Sequence, residues 1–534
     1  MFIVEKNKPK NKFGQYFTPE IVANFMIDLA EITQDSTILE PSCGEGVFLK
    51  CLQNKGFTHI TAYEIDNDLA KNFDCVKYES FVSANITEKY DLIIGNPPYI
   101  RWKNLEETLK NELLNHLLWN KYFNSLCDYL YIFILKSIEL LKDKGQLIFI
   151  CPEYWMNTTH ADSLRNYMVM NGYFEEIYHF NETPIFEKVT VSIVIFKFVK
   201  TKQTEPTIKV AKFYAQQKLT AEMLQALKNK SYLKEAEYLT VSPFQLNSRW
   251  LLASDETQLA LNALEKACKK KNQHEALDLF KENLEEYDRI GDYCDIGNGL
   301  VSGLDKAFQL NGHILSEKEQ KATLKVIKAK DLQPFFSKNI TKYIFITENL
   351  QEEEIQKEYP YFWQQFQAYK EELEKRYQYK NKSNYWEWAF LRNFKLFSKN
   401  EKRIFVPCKE RISNKNYFRF AWVEGGIYPT QDVTAIFKKP TTKESIAYIL
   451  AYLNHQKVFD WLICKGIVKG NIVEFSEKPI SSIPFKAIDW ANENEVKIHD
   501  SITKKTMQYL ESKQDTYLIE INFLLNQLLN NPKW

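Results

Sequence analysis

The chain lacks the marks of several protein classes at once. Its nine cysteines (43, 51, 75, 127, 151, 268, 294, 408 and 464) are dispersed, with no C-x-x-C and no histidine at metal-ligand spacing. That excludes a disulfide framework and the common zinc modules, and scattered thiols fit a reducing, cytoplasmic setting. No sign of charge is in excess: 70 Lys/Arg stand against 69 Asp/Glu, a net of +1, so the overall field implies no polyanionic partner. Long apolar runs are missing too. The best stretch, Leu126 to Leu141, is broken by Asp128, Lys136 and Glu139, short of the roughly 18 residues a membrane span needs. Met1-Phe2-Ile3-Val4, followed by Lys6, Lys8, Lys10 and Lys12, is too short an apolar segment for a secretory leader. There is no internal repeat and no low-complexity tract. What is present is 534 residues, 45% apolar and 14% aromatic, enough to bury the cores of two or three domains.

The first 200 residues or so alternate strand and helix patterns. Pro19 to Ala30 reads as a helix with proline in its first turn. Strands are expected at 37–39, 59–63, 75–78, 91–94, 146–151, 174–180 and 189–199, with helices from Val47, from about Asn67, over Leu126–Leu141 and near Ala161–Met170. Repeated βα units predict an α/β fold with a mostly parallel sheet. The last two strands lack a full helix between them, which predicts an antiparallel pair at the sheet edge. Beyond about 201 the pattern changes to Lys/Glu-rich helices between Leu219 and Lys281, then irregular structure with glycine turns at Gly297-Asn298-Gly299 and Gly425-Gly426. Helices return over Ser445–Leu462 and Glu495–Leu529. From Lys370 to Arg419 there are 14 Lys/Arg against 6 Asp/Glu, interleaved with Tyr377, Tyr379, Tyr385, Trp386, Trp388, Phe390 and Tyr417. Such a segment suits a phosphate backbone and bases; it equally describes a solvated basic face around core aromatics.

Two turns carry chemistry. Asn96-Pro97-Pro98-Tyr99 directly follows the apolar strand Tyr90–Gly95. The prolines stiffen the turn and remove N–H donors, so the Asn96 side-chain oxygen and the Pro97 carbonyl can both accept from one exocyclic amino group, with Tyr99 offering a flat face. The second turn, Glu40-Pro41-Ser42-Cys43-Gly44-Glu45-Gly46, lies between a strand and a helix, where small residues allow close backbone approach to a ligand. Glu64 ends the next strand, where doubly wound sheets grip ribose hydroxyls. The turn is not G-x-G-x-x-G, and the carboxylate of Glu40 is a poor neighbour for a pyrophosphate. A ligand with a ribose and a cationic end fits better, and S-adenosylmethionine is such a molecule. A methyl donor beside an amine acceptor makes methyl transfer to nitrogen the economical inference.

With these motifs in this order the chain resembles the gamma class of N6-adenine DNA methyltransferases, in which a cofactor region is followed by NPPY and then by target recognition. Gly14-Gln15-Tyr16-Phe17-Thr18-Pro19 is similar to that family's N-terminal cofactor motif, Glu40–Gly46 to its first loop, Glu64 to its ribose acid and Asn96–Tyr99 to its catalytic motif. Pro184–Lys188 with Val191–Val194 resembles the segment whose aromatic holds the extruded base, which nominates Phe186 to stack with Tyr99. Ile296–Phe308, Tyr385–Lys415 and Gly470–Pro484 continue the likeness, more loosely. The resemblance implies a Rossmann-like methyltransferase domain over 1–245, with a seven-stranded, mostly parallel sheet and an antiparallel edge strand. An α/β or irregular target-recognition domain with C-terminal helices would occupy 246–534. It implies S-adenosylmethionine as cofactor, contacted by Tyr16, Phe17, Thr18, Glu40, Pro41, Ser42, Cys43, Gly44, Glu64, Ile65, Glu79, Phe81 and Asn96. Asn96, Pro97, Pro98 and Tyr99 would be catalytic, with no metal. The family usually has Asp near the third strand, where this chain has Glu79-Ser80-Phe81.

The expected substrate is double-stranded DNA with its target adenine flipped out, acted on by a cytoplasmic monomer, with a cognate endonuclease sharing the site. Protein-glutamine and ribosomal RNA adenine methyltransferases also use such turns, but a large C-terminal half and a cofactor motif at the extreme N-terminus argue against both. A DNA-binding scaffold with an inactive methyltransferase fold would need a broken motif, and both loops are intact. A fused nuclease is disfavoured by the dozen residues before the first motif. Asn rather than Ser at the first position of NPPY favours adenine over cytosine N4.

Overall fold

Parallel strands covered on both faces read as unbroken apolar runs, and Leu92-Ile93-Ile94 is such a run, with the three residues wholly buried. It lies in β4 (Tyr90–Gly95), near the middle of a nine-stranded sheet. The computed structural model describes residues 17–186, 192–202, 207–215, 217–248, 250–269, 287–310, 312, 314–376, 384–412, 415–469 and 471–530. The chain forms two compact units, Met1–Thr257 and Gln258–Trp534.

The sheet of the first unit comprises β1 (Ile38–Glu40), β2 (Ile60–Tyr63), β3 (Val76–Lys77), β4, β5 (Leu141–Pro152), β6 (Gly172–His179), β7 (Ile193–Lys200), β8 (Ile208–Phe213) and β9 (Ala236–Val241), in the order 3-2-1-4-5-7-6-8-9. Strands β1 to β5 pair in parallel. Strand β7 runs antiparallel to both β5 and β6, so the antiparallel strand is inserted within the sheet, and β8 and β9 extend it outward. Chain order reverses between β1 and β4, the place where ligands bind at the carboxyl edge of such sheets. Register pairs Ile38 with both Ile60 and Leu92. The residues that follow β1, β2 and β4 therefore emerge side by side.

Alternation along the strands sorts the core in two. Ile38, Leu92, Ile94 and Ile148 pack with α1 (Glu20–Asp28) and α2 (Val47–Asn54). Leu39, Ile93, Leu147 and Phe149 pack with α3 (Glu107–Leu114), α4 (Leu117–Tyr122), α5 (Leu130–Leu140) and α6 (Asp162–Asn171). Pro19 stands at the N-cap of α1, one position before the first turn. The helix expected from Leu126 begins only at Leu130 and is not amphipathic: of its residues only Glu139 escapes burial. The helix expected from Asn67 is absent; Asn67 to Asp74 form turns, as the local Asn, Asp and Lys content favours.

In the second unit β10 (Cys294–Asn298), β11 (Thr323–Ile327), β12 (Thr341–Ile344), β13 (Arg403–Pro407), β14 (Lys409–Arg411), β15 (Ala421–Val423), β16 (Ile427–Pro429), β17 (Val433–Lys438), β18 (Ile467–Lys469) and β19 (Ile472–Glu474) form three small sheets, ordered 10-17-13-15, 12-11-16 and 14-19-18. Gly297-Asn298-Gly299 is not a turn. Its first two residues end β10, and a Cβ on Gly299 would lie 2.0 Å from the Thr430 carbonyl oxygen, so close backbone approach requires the glycine. Gly426, at φ +75°, does occupy a turn. The helix expected over Ser445–Leu462 is two, Ile446–Leu453 and Gln456–Lys465, and the last long helix is a hairpin, Glu493–Ser512 and Asp515–Asn530, reversing at Lys513 with φ +57°.

Candidate active site

The turns after β1, β2 and β4 are held together by a few directed bonds. Both carboxylate oxygens of Glu64 accept backbone N–H groups, Oε2 from Gly44 at 2.8 Å and Oε1 from Asp66 at 2.9 Å. The Cys43 N–H donates to the Tyr63 carbonyl at 3.0 Å. Ser42 Oγ donates to the Asn96 carbonyl at 3.3 Å, and Asn96 Nδ2 donates to Thr18 Oγ1 at 3.2 Å. The first loop, the Asn-Pro-Pro-Tyr turn and the segment before α1 thus form one connected frame. Gly44 (φ +54°) and Gly46 (φ +82°) take left-handed conformations that side chains resist. At Gly46 a Cβ would also meet the Phe73 ring at 2.5 Å.

This frame surrounds an open cavity of about 860 Å³, its mouth included. Thirteen of the residues singled out from sequence line it: Phe17, Thr18, Glu40, Pro41, Ser42, Cys43, Gly44, Glu64, Ile65, Glu79, Phe81, Asn96 and Pro98. Tyr16 lies outside the described residues. Pro97 is buried behind the turn, and Tyr99 is half-buried against the α5 side of the core. Phe186 does not reach the cavity; it is buried in the α1 side of the core with Phe180 and Ile185, and residues 187–191 are not described. Sequence reading missed Leu109 on α3, Tyr129 just before α5, and Phe133 within it, all of which close the cavity. Their signal was weak because residues 102–125 carry no clean periodicity and α5 is buried on nearly every face.

The walls combine apolar rings, Phe17, Phe81 and Phe133 among them, with the carboxyls of Glu40, Glu64 and Glu79. Glu40 is 1% exposed; burial first, and then the charge of Glu64, push its carboxyl well above the ordinary range. Burial, reinforced by Glu40, Glu64 and Cys75, likewise raises the Cys43 thiol, which stays protonated at neutral pH. Both effects disfavour added negative charge here and favour a cation.

The basic, aromatic stretch of the second unit is largely spent on structure. Tyr385, Trp386 and Trp388 lie in its core; Tyr377 and Tyr379 lie outside the described residues. Arg376 donates to the Ser302 and Asn384 carbonyls, Arg392 to Gly299, and Arg419 to Glu410. Lys395, Lys402, Lys409 and Arg411 are exposed. Among the described residues no helix is long and apolar enough to cross a membrane.

Residues 26–186 match the Eco57I restriction-modification methylase family. Over 519 residues the chain is 47% identical to the type II methyltransferase M.HindII of Haemophilus influenzae, covering 97% of this chain and 98% of that protein. It is 44% identical, with the same coverage, to M.HincII of Haemophilus influenzae. Among solved structures, the type IIL restriction-modification enzyme MmeI in complex with DNA superposes with a TM-score of 0.59 at 11% identity, over 96% of this chain and 73% of that one, a likeness of fold. By the extent and the level of the sequence identity, the chain belongs to the type II methyltransferases of restriction-modification systems.

Proposed function

We propose that the chain transfers a methyl group from S-adenosylmethionine to N6 of an adenine flipped out of double-stranded DNA, in the cytoplasm, protecting the site from an endonuclease of the same specificity. The observation that carries this reading is the meeting of the glycine loop and the Asn-Pro-Pro-Tyr turn in one cavity, tied by the Ser42 and Asn96 bonds. The residues suit the cofactor. Glu64 is fixed at the end of β2 for ribose hydroxyls, Phe17, Phe81 and Phe133 supply apolar walls for a purine, and Glu40 faces the same space as a seat for an ammonium. When bound, S-adenosylmethionine supplies an electrophilic methyl on a sulfonium.

The chain's part in the reaction is to hold and aim. Adenine N6 is a weak nucleophile because its lone pair is delocalised into the ring. Asn96 Oδ1 and the Pro97 carbonyl would accept its two hydrogens and favour a pyramidal nitrogen. Alignment of that kind is worth on the order of 7–11 kcal/mol, and a base stacked on Tyr99 adds roughly 1–3 kcal/mol. Flipping is required because the amino group cannot be reached inside a duplex. We assign Met1–Thr257 to catalysis and Gln258–Trp534 to target recognition, with a monomer as the acting species.

Expression in a host without DNA methylation, with modified bases mapped by single-molecule sequencing, tests the reading. N6-methyladenine at one short DNA motif is expected. Methyl groups on cytosine N4, or on RNA or protein alone, would overturn it.

A further inference from the structure

The wall of the cavity that carries Glu79, Ser80 and Phe81 is a tight turn. The Ala84 N–H donates to the Ser80 carbonyl at 2.9 Å and the Val82 N–H to Ser80 Oγ at 3.3 Å. This turn aims the carbonyls of Phe81, Val82 and Ala84 at one point, and α5 places the ammonium of Lys136 there, 2.7, 2.9 and 2.7 Å away. An ammonium has three donors, and each is matched to a carbonyl. Lys136 is 8% exposed in a helix of which only Glu139 escapes burial, and its Nζ lies 5.1 Å from the centre of the Phe81 ring. The titratable groups facing it are Glu79 on the turn itself, and Glu112 and His116 on α3 and just after it. The Tyr129 hydroxyl lies beside Ser80 and Glu112.

We propose that Lys136 is a positioning residue: as an internal cation it holds the 79–84 turn in the shape that lets Ser80 and Phe81 wall the nucleoside end of the cofactor site. This rests on the cofactor reading above. Burial lowers the Lys136 ammonium to about 8, against the pull of Glu112 and Glu79, whereas burial and Lys136 hold His116 below its ordinary value, so it is neutral above about pH 7. As pH rises through about 8, the turn loses a donor and the charge that its carbonyls solvate. Affinity for the nucleoside then falls.

The test is calorimetric binding of 5′-methylthioadenosine, which keeps adenine and ribose but lacks the α-amino group that would itself titrate near pH 8. With the wild-type chain, affinity is expected to fall across a break near pH 8. Lys136→Met, with its fold checked by circular dichroism, is expected to bind roughly tenfold more weakly at neutral pH and to show no break. Glu112→Gln is expected to move the break to lower pH. A flat wild-type profile, or a folded Lys136→Met with wild-type affinity, would overturn the proposal while leaving the cofactor reading intact. Should Lys136→Met not fold, the wild-type profile and the Glu112→Gln shift still decide. No binding of either this nucleoside or S-adenosylmethionine by the wild-type chain would remove the cofactor reading and this inference together.

Discussion

Glu40 in the first unit and Arg403 in the second are both charged side chains with almost no exposure, and their surroundings differ. Arg403 donates from Nε to the Glu401 carbonyl at 2.9 Å, from Nη1 to Phe397 at 2.8 Å, and from Nη2 to Lys399, and its guanidinium lies 4.6 Å from the Phe437 ring centre. Every part of it is engaged by the chain. Glu40 Oε2 is buried and has no hydrogen-bond partner among the described residues, and it lines an open cavity beside a second carboxylate. Buried polar groups are normally satisfied, and the ammonium seat proposed for Glu40 rests on this exception at the cavity wall.

The contrast is broken most directly by variants that separate activity from stability. Asn96→Ala is expected to lower methyl transfer by roughly a thousandfold or more, with melting temperature and S-adenosylmethionine affinity nearly unchanged. Transfer of labelled methyl to DNA, with calorimetry alongside, checks it. Near wild-type turnover would end the proposed mechanism. Arg403→Leu is expected to do the reverse. It strands several carbonyls and costs about 3–5 kcal/mol of stability, seen in urea unfolding of the second unit, while cofactor affinity stays at the wild-type level. If Arg403→Leu instead left stability intact and abolished DNA binding, the residue would be a phosphate contact and the comparison would fail.

The sequence made one side of this contrast far more legible than the other. A buried parallel strand followed by Asn-Pro-Pro-Tyr, and a strand followed by a glycine loop, are local signals, and sheet topology then brings their ends together without further information. That is why Glu40, Pro41, Ser42, Cys43, Gly44, Glu64, Asn96 and Pro98 could be named from the two motifs and the strand end, while Phe17, Thr18, Ile65, Glu79 and Phe81 came from the family resemblance. Leu109, Tyr129 and Phe133 arrive through packing of α3 and α5, which no local pattern encodes. Phe186 shows the opposite limit: its motif is local, but its side chain is buried in the core away from the cavity. In the second unit the basic stretch looked uniform, yet Arg376, Arg392, Arg403 and Arg419 bind carbonyls and a carboxylate of their own chain. Charge composition counts side chains; it does not say which of them already have partners.

Within the site the expected effects are smaller. Glu64 holds the Gly44 and Asp66 amides with its two oxygens, so it is both scaffold and proposed ribose ligand. Glu64→Gln replaces one acceptor by a donor and is expected to weaken S-adenosylmethionine binding roughly tenfold, measured by calorimetry. An unchanged affinity would mean that the ribose is held elsewhere.

Glu40 gives the smallest and most discriminating effect. Burial and then Glu64 raise its carboxyl in the folded chain, above an unfolded value of about 4.3. Between the two values the native state binds the proton and the unfolded state does not, so stability falls as pH rises through that window. Below about pH 4 both states are protonated and the cost vanishes. Glu40→Gln removes the ionisation and keeps the shape. It is therefore expected to be more stable than the wild-type chain by about 1 kcal/mol at neutral pH, with the difference shrinking towards zero in acid, as followed by thermal melting against pH. The same variant is expected to bind S-adenosylmethionine more weakly, because the acidic seat for its ammonium is gone. A stabilised variant with undiminished affinity would show Glu40 to be strained without purpose; a destabilised one would show that its carboxylate has a partner within the fold.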